Sequence, residues 1–271
     1  MLLLDGHVHI HDCFDIVAFL DGAYLNFLNR ALAMDRGDFS AVLLLTESAG
    51  DDWFGRLRRL SENREGVGNG KENGWSFYAT GEDCSLVAES RKGERIFIIA
   101  GRQIVTSENL EVLALGTLSR LNDGEPVQMV IQMTRAVGGL PVLPWGFGKW
   151  WGRRGKIVER ILKSHNGLPL FLGDNGNRPG LLPTPKILAS ANLFEIRVLP
   201  GSDPLPFRKE ANRVGRFGFA VDASLMGDCP AAEVKSLIAR KETGLTRFGK
   251  LEKPLPFLRN QITMQVRKRF I

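Results

Sequence analysis

Leu2-Leu3-Leu4-Asp5-Gly6-His7-Val8-His9-Ile10-His11 opens the chain, and this stretch decides how the rest is read. Three leucines in a row form the short apolar run of a strand covered on both faces. In an extended chain alternate side chains face the same way, so Asp5, His7, His9 and His11 fall on one side. Residues two apart sit ~6–7 Å apart at Cα, close enough for two imidazoles to share one ion. The chain has only four histidines. Three of them within five positions is a concentration that an ordinary polar strand end does not call for. His7 and His9 are therefore candidate metal ligands and catalytic residues, while the strand is expected to be ending at His11. Asp5 is placed to orient an imidazole through its other ring nitrogen.

Outward from this strand, short apolar runs alternate with helical patterns, the signature of βα units on a parallel sheet. A helical pattern covers about 16–34, a buried strand 41–45 and a basic amphipathic helix 54–60. Between 75 and 100 the pattern changes to short antiparallel strands, with turns at Gly81-Glu82-Asp83 and Lys92-Gly93. The alternation then resumes through a helix at 126–136, a strand at 140–143, a helix at 157–162, a strand at 168–172, a helix at 185–191 and a strand at 197–199. Six or seven such units favour a closed or distorted barrel, and 271 residues suit a fold that typically needs about 250. Barrel active sites lie at the C-terminal ends of the strands, where the histidines fall.

Composition narrows the function classes. Hydrophobic residues make up 44% and charged residues 24%, which excludes a disordered chain. The three cysteines share no C-x-x-C spacing and read as reduced thiols of a cytoplasmic protein. No apolar stretch approaches the ~20 residues of a membrane helix, so no membrane partner is expected. The net charge of +6 permits anionic partners. No basic stripe interleaved with aromatics appears, so nucleic acid is not expected as a partner. Arg267-Lys268-Arg269 reads as the solvated end of a final helix. Neither a phosphate-binding loop nor a dinucleotide fingerprint is present.

Leu4-Asp5-Gly6-His7-Val8-His9 resembles the opening motif of the polymerase-and-histidinol-phosphatase (PHP) family, and the likeness continues in order to about residue 207. Leu43-Leu44-Leu45-Thr46-Glu47 stands where that family's second strand ends in Thr-Asp-His. Gly101-Arg102-Gln103-Ile104 is similar to its Gly-x-Glu-hydrophobic segment. Val142-Leu143-Pro144-Trp145 falls at its His-Pro pair, and Gly201-Ser202-Asp203 resembles its late Gly-Ser-Asp-x-His motif. The resemblance implies an α/β fold, a distorted (β/α)7 TIM-like barrel that hydrolyses phosphoesters at a cluster of two or three metal ions. On that reading residues 1–271 are one domain. A small antiparallel sheet insertion lies at about 75–100, and a helical C-terminal portion from about 208 to 271 packs on the barrel. The chain departs from the pattern at Glu47-Ser48, at Gln103, at Trp145 and at Leu205. What remains of the ligand set is His7, His9, Asp203 and Glu47, which suits one divalent ion, Zn, Mn or Fe.

Other residues are expected around this centre. Asp174, with Asn175, ends another strand and is a candidate substrate contact. Arg102, Arg178 and Arg208 are expected on the same rim, where guanidinium groups bind phosphate bidentately. Gln103 and Trp145 occupy strand ends that would face substrate. Trp145, Phe147, Trp150 and Trp151, spaced by Gly146 and Gly148, read as a lid or stacking loop. The function expected is that of a metal-dependent hydrolase, a phosphoesterase for a small anionic, phosphorylated substrate. The alternative is a catalytically degenerate barrel that binds a ligand or a partner. A C–N-cleaving amidohydrolase ranks third, because His165 alone is left to supply its further ligands.

Overall fold

A computed structural model describes residues 1–63, 65–68 and 74–269, and the side chains of 266–269 lie outside the described set, those of Arg267-Lys268-Arg269 included. The strands are β1 (Leu2–Val8), β2 (Ser40–Leu45), β3 (Gly66–Val67), β4 (Trp75–Ala79), β5 (Ser85–Ser90), β6 (Arg95–Ile99), β7 (Gly101–Val105), β8 (Glu111–Leu115), β9 (Leu140–Pro144), β10 (Phe171–Asn175), β11 (Arg197–Gly201), β12 (Gly218–Val221) and β13 (Thr246–Phe248). The α-helices are α1 (Ile16–Leu32), α2 (Trp53–Glu62), α3 (Val127–Ala136), α4 (Arg153–Ser164), α5 (Lys186–Ala189), α6 (Pro230–Ala239) and α7 (Pro254–Arg269). Residues 208–271, expected to be helical, thus also supply β12 and β13.

Local chemistry explains the elements. Every residue of β1 is buried, as its apolar run requires when both faces are covered. The Asp15 carboxylate accepts hydrogen bonds from the Val17 and Ala18 amides at 3.0 Å each and so caps α1. Phe19, Leu20, Ala23, Phe27 and Ala31 form the buried stripe of that helix.

The strands form two sheets. One has eight strands in the order β13-β12-β1-β2-β6-β5-β4-β3, and the other five in the order β11-β10-β9-β8-β7. This overturns the expected (β/α)7 barrel, and the pairing supplies the reason. β1 pairs with β2 in parallel along one edge and with β12 antiparallel along the other. Both hydrogen-bonding edges are thereby used, and β11 has no edge of β1 on which to ladder. At the other seam β6 occupies the free edge of β2, so β7 reaches that chain only past the strand's end, through a Glu47–Arg102 bridge.

An apolar core fills the space between the sheets. Leu2, Leu4, Val42, Leu44 and Ile99 from the first sheet meet Leu113, Leu115, Val142, Phe171 and Leu199 from the second, and Ala231, Val234 and Ile238 of α6 complete it. A second core packs the first sheet against α1 and α2, and a third packs the second sheet against α3 and α4. Two cores on the outer faces and one between them fix the sheets, and with them the seam where β1 approaches β11.

Candidate metal centre

The seam places the histidines. The register of β1 against β2 shifts between Asp5 and Val8, and the chain then carries His7 and His9 to one point. Their Nε2 atoms lie 3.1 Å apart. Asp5 has another task than orienting an imidazole. Its buried carboxylate accepts from the backbone amides of Ser202 (2.8 Å), Gly215 (2.8 Å) and His7 (3.3 Å), tying β1 to two distant loops. Gly201 allows the closest approach: a Cβ there would stand 2.3 Å from the His7 nitrogen. Because β11 can come this near, the Asp203 amide donates to the His7 carbonyl at 2.8 Å.

Asp203 is held in an uncommon backbone state, with φ of +46°, a left-handed conformation that Asp tolerates better than most residues. Asn175, the last residue of β10, and Asn177, in the turn that follows, hold it there. The Asn175 amide donates to Asp203 Oδ2 and the Asn177 amide to the Asp203 carbonyl. The other carboxylate oxygen, Oδ1, is thereby turned to the imidazoles, 3.5 Å from His7 Nε2 and 3.6 Å from His9 Nε2.

These three side chains could hold a metal ion. Ligand atoms bonded at about 2.0–2.2 Å to one tetrahedral ion lie roughly 3.3–3.6 Å from one another; the two imidazole–carboxylate separations of 3.5 and 3.6 Å fall in that range, and the two imidazole nitrogens, 3.1 Å apart, stand slightly closer. The Gln103 carbonyl, 3.2 Å from His7 Nε2, adds a neutral oxygen at the edge. The chemistry of the donor set agrees with the spacing: two imidazoles and a carboxylate suit Zn, Mn or Fe.

Protonation favours binding. Burial, together with the charge of His7, pushes the His9 imidazole down from 6.5 to about 3, so its lone pair is free at neutral pH. Burial alone would raise the Asp203 carboxyl, but the His7 and His9 imidazoles and the Asn175 hydrogen bond outweigh it and hold the group below its ordinary value. The Asp5 carboxyl, by contrast, is raised by burial from 3.8 to about 6, against the pull of its backbone hydrogen bonds.

A cavity of about 370 Å³ opens beside this centre. His9, His11, Gln103 and Asp203 line it. Trp145, Phe147 and Lys149 also line it, with Asn175, Asn177 and, from α7, Phe257, Asn260, Gln261, Met264 and Gln265. The His11 imidazole stacks on His9, with centroids 5.6 Å apart, and its Nε2 bonds the Pro204 carbonyl at 3.0 Å.

The structure does not gather all the expected residues. Glu47 is buried but turned away: its carboxylate accepts from the Phe54 amide at 2.6 Å, capping α2, and sits 3.8 Å from Arg102. Arg102 donates to the Ser48 and Asp51 carbonyls, outside the cavity. Asp174 faces the opposite side of β10, where it binds Arg178 through both oxygens at 2.9 and 3.1 Å. Arg208 is exposed at the start of a 3-10 turn. None of Glu47, Arg102, Asp174, Arg178 and Arg208 lines the cavity.

Asn177, Glu111, Lys149 and the inner face of α7 carry the site without having been singled out for it. Period-two alternation along β10 was the one available signal: with Asp174 on one face, Asn175 must take the other.

No protein-family model matches the chain, and no curated protein matches it in sequence. Among solved structures it is similar to PsfC from Pseudomonas syringae PB-5123, with 16% identity, 97% of each chain covered and a TM-score of 0.54. It is also similar to the lesion-specific endonuclease Q of Pyrococcus furiosus, at 14% identity and a TM-score of 0.48, over 90% of this chain and 57% of that one. An endonuclease Q complex with a 27-mer duplex bearing an abasic lesion gives 13% identity and a TM-score of 0.45, over 86% of this chain and 56% of that one. Among the described residues no helix is long and apolar enough to cross a membrane. At these identities the likeness to PsfC is one of fold.

Proposed function

We propose that this protein is a metal-dependent hydrolase of the PHP kind that cleaves a phosphoester. One divalent ion would be held by His7, His9 and Asp203. The observation that carries the reading is the triangle of two imidazole nitrogens and one carboxylate oxygen facing each other at 3.1–3.6 Å beside an open cavity. A bound ion supplies Lewis acidity, drawing charge from a phosphoryl oxygen and bringing the pKa of water to about 7.

The chain's own residues do the rest. His9 stays neutral and keeps its lone pair. Asn175 holds the Asp203 carboxylate and Asn177 its backbone carbonyl, so little side-chain freedom is left to lose when the centre assembles. Gln103 orients its carbonyl to His7 and its amide to Glu111, 3.4 Å away. Trp145, Phe147 and the α7 side chains that line the cavity limit the entry of water.

The test is metal analysis of protein purified without chelator, followed by assay on aryl phosphoesters. One divalent ion per chain and chelator-sensitive release of the aryl alcohol are expected. A protein that binds no divalent ion at saturating concentration would refute the reading. The alternative, a binding protein without turnover, draws on one observation: Glu47 is committed to α2, which leaves three strong ligands. It predicts bound metal with no hydrolysis of any ester.

A further inference from the structure

The walls of the cavity speak to the charge of what enters it, and this inference rests on the hydrolase reading above. A doubly charged phosphate is ordinarily met by two or three dedicated cations. Among the described residues lining this cavity, Lys149 is the one Lys or Arg. Its ammonium is bonded to the Glu111 carboxylate, so the pair adds no net charge. Arg102 and Arg178 are bound elsewhere, on the Ser48 and Asp51 carbonyls and on Asp174.

Uncharged amides stand where cations would be needed. Gln103, Asn175, Asn177, Asn260, Gln261 and Gln265 all line the cavity. The Oδ1 of Asn177 is buried with no hydrogen-bond partner, an acceptor that calls for an O–H or N–H donor. The same cavity also carries an aromatic pair. Phe147 stands edge-on to Phe257, with centroids 5.1 Å apart at 72°, beside Trp145.

A divalent ion with the Asp203 carboxylate leaves a single positive charge. One negative charge balances it, and a second would be enclosed without a partner. We propose that the site takes a phosphodiester, singly charged at neutral pH, with one ester group a flat ring seated against Phe147 and Phe257. Phosphomonoesters, doubly charged above about pH 6, are disfavoured. In the reaction water adds across one P–O ester bond. Its hydroxyl oxygen bonds to phosphorus, and the departing ester oxygen leaves carrying a proton. The product monoester then loses a further proton to solvent, becomes doubly charged, and is held less well than the substrate.

The experiment uses the full chain loaded with divalent metal. The kcat/KM for bis(4-nitrophenyl) phosphate is compared with that for 4-nitrophenyl phosphate from pH 5.5 to 8. In parallel, calorimetric titration compares diphenyl phosphate with phenyl phosphate as ligands. At pH 8 the diester is expected to be preferred about tenfold or more in both measurements, with the gap narrowing toward pH 5.5 as the monoester takes up a proton. Glu111→Gln releases Lys149 and is expected to shift both ratios toward the monoester. Equal treatment of the two esters at pH 8, unchanged by Glu111→Gln, overturns the charge assignment and leaves the hydrolase reading standing. Tight binding of diphenyl phosphate without turnover of either ester overturns the hydrolase reading and keeps the assignment. Binding of neither ligand overturns both.

Discussion

At the residue scale the centre depends on two imidazoles and on how one carboxylate is held. Asp203→Asn keeps the side chain's shape and removes its charge. It is expected to abolish stoichiometric metal binding, as measured by metal analysis after gel filtration, while the chain stays folded. Asn175→Ala removes the hydrogen bond that turns Asp203 toward the histidines. Loss of such a supporting contact weakens metal affinity by about 10- to 100-fold, which competition with a chelating dye will read. Glu47→Ala separates two roles. If Glu47 caps α2, as its bond to the Phe54 amide indicates, the variant keeps its metal and loses roughly 1 kcal/mol of stability. His7 and His9 were legible in the sequence because alternation after a buried strand is a local signal. The role of Asp203 came only through a family likeness, since a positive φ and a clamp from residues 175 and 177 depend on contacts nearly thirty positions away.

At the level of elements, strands and helices followed from local pattern. The expected strands at 41–45, 140–143 and 197–199 fall in β2, β9 and β11, the helix at 126–136 is α3 with Pro126 as its N-cap, and the helix at 157–162 lies within α4. Which face a side chain takes was harder to read. Asp174 and Asn175 are adjacent at the end of β10, and burial on both faces hides the choice: Asp174 pairs with Arg178, and Asn175 meets the site. The approach of β11 to β1 was not legible at all, because it rests on the missing side chain of Gly201. Gly201→Ala would press a Cβ into the His7 nitrogen and Cβ, 2.3 and 2.4 Å away. Overpacking of this kind costs about 1–3 kcal/mol. A lower Tm together with weakened metal binding is expected, whereas an unchanged metal affinity would show that the seam does not set the site.

For the whole molecule, the sequence carried the α/β class and the position of the histidines at a strand end, but not the closure. Hydrophobic period reports whether a strand is buried, not which neighbour takes its edge, and here β12 takes the edge of β1 that a closed barrel would give to β11. Global stability should also carry the electrostatic signature of the site. In metal-free protein the unfolded chain protonates His9 near 6.5 and the native chain near 3, so His9 withdraws stability as pH falls between those values. Asp5 acts oppositely. Its native carboxyl takes up a proton near 6 and its unfolded one near 3.8, so its contribution grows as pH falls through that window and is lost as pH rises. The two offset each other between about pH 6 and 4. Below about 4 the gain from Asp5 is complete, while His9 and Asp203 go on losing stability. Denaturant unfolding in chelator is therefore expected to give a nearly flat stability from pH 6 to 4 and a steep decline below, which His9→Gln makes shallower.

The most direct test of the centre is anomalous diffraction from crystals of the metal-loaded protein, recorded at the absorption edge of the ion. One peak is expected, about 2.0–2.2 Å from His7 Nε2, His9 Nε2 and an Asp203 carboxylate oxygen. A peak bonded to other side chains, or none at saturating metal, would contradict the account.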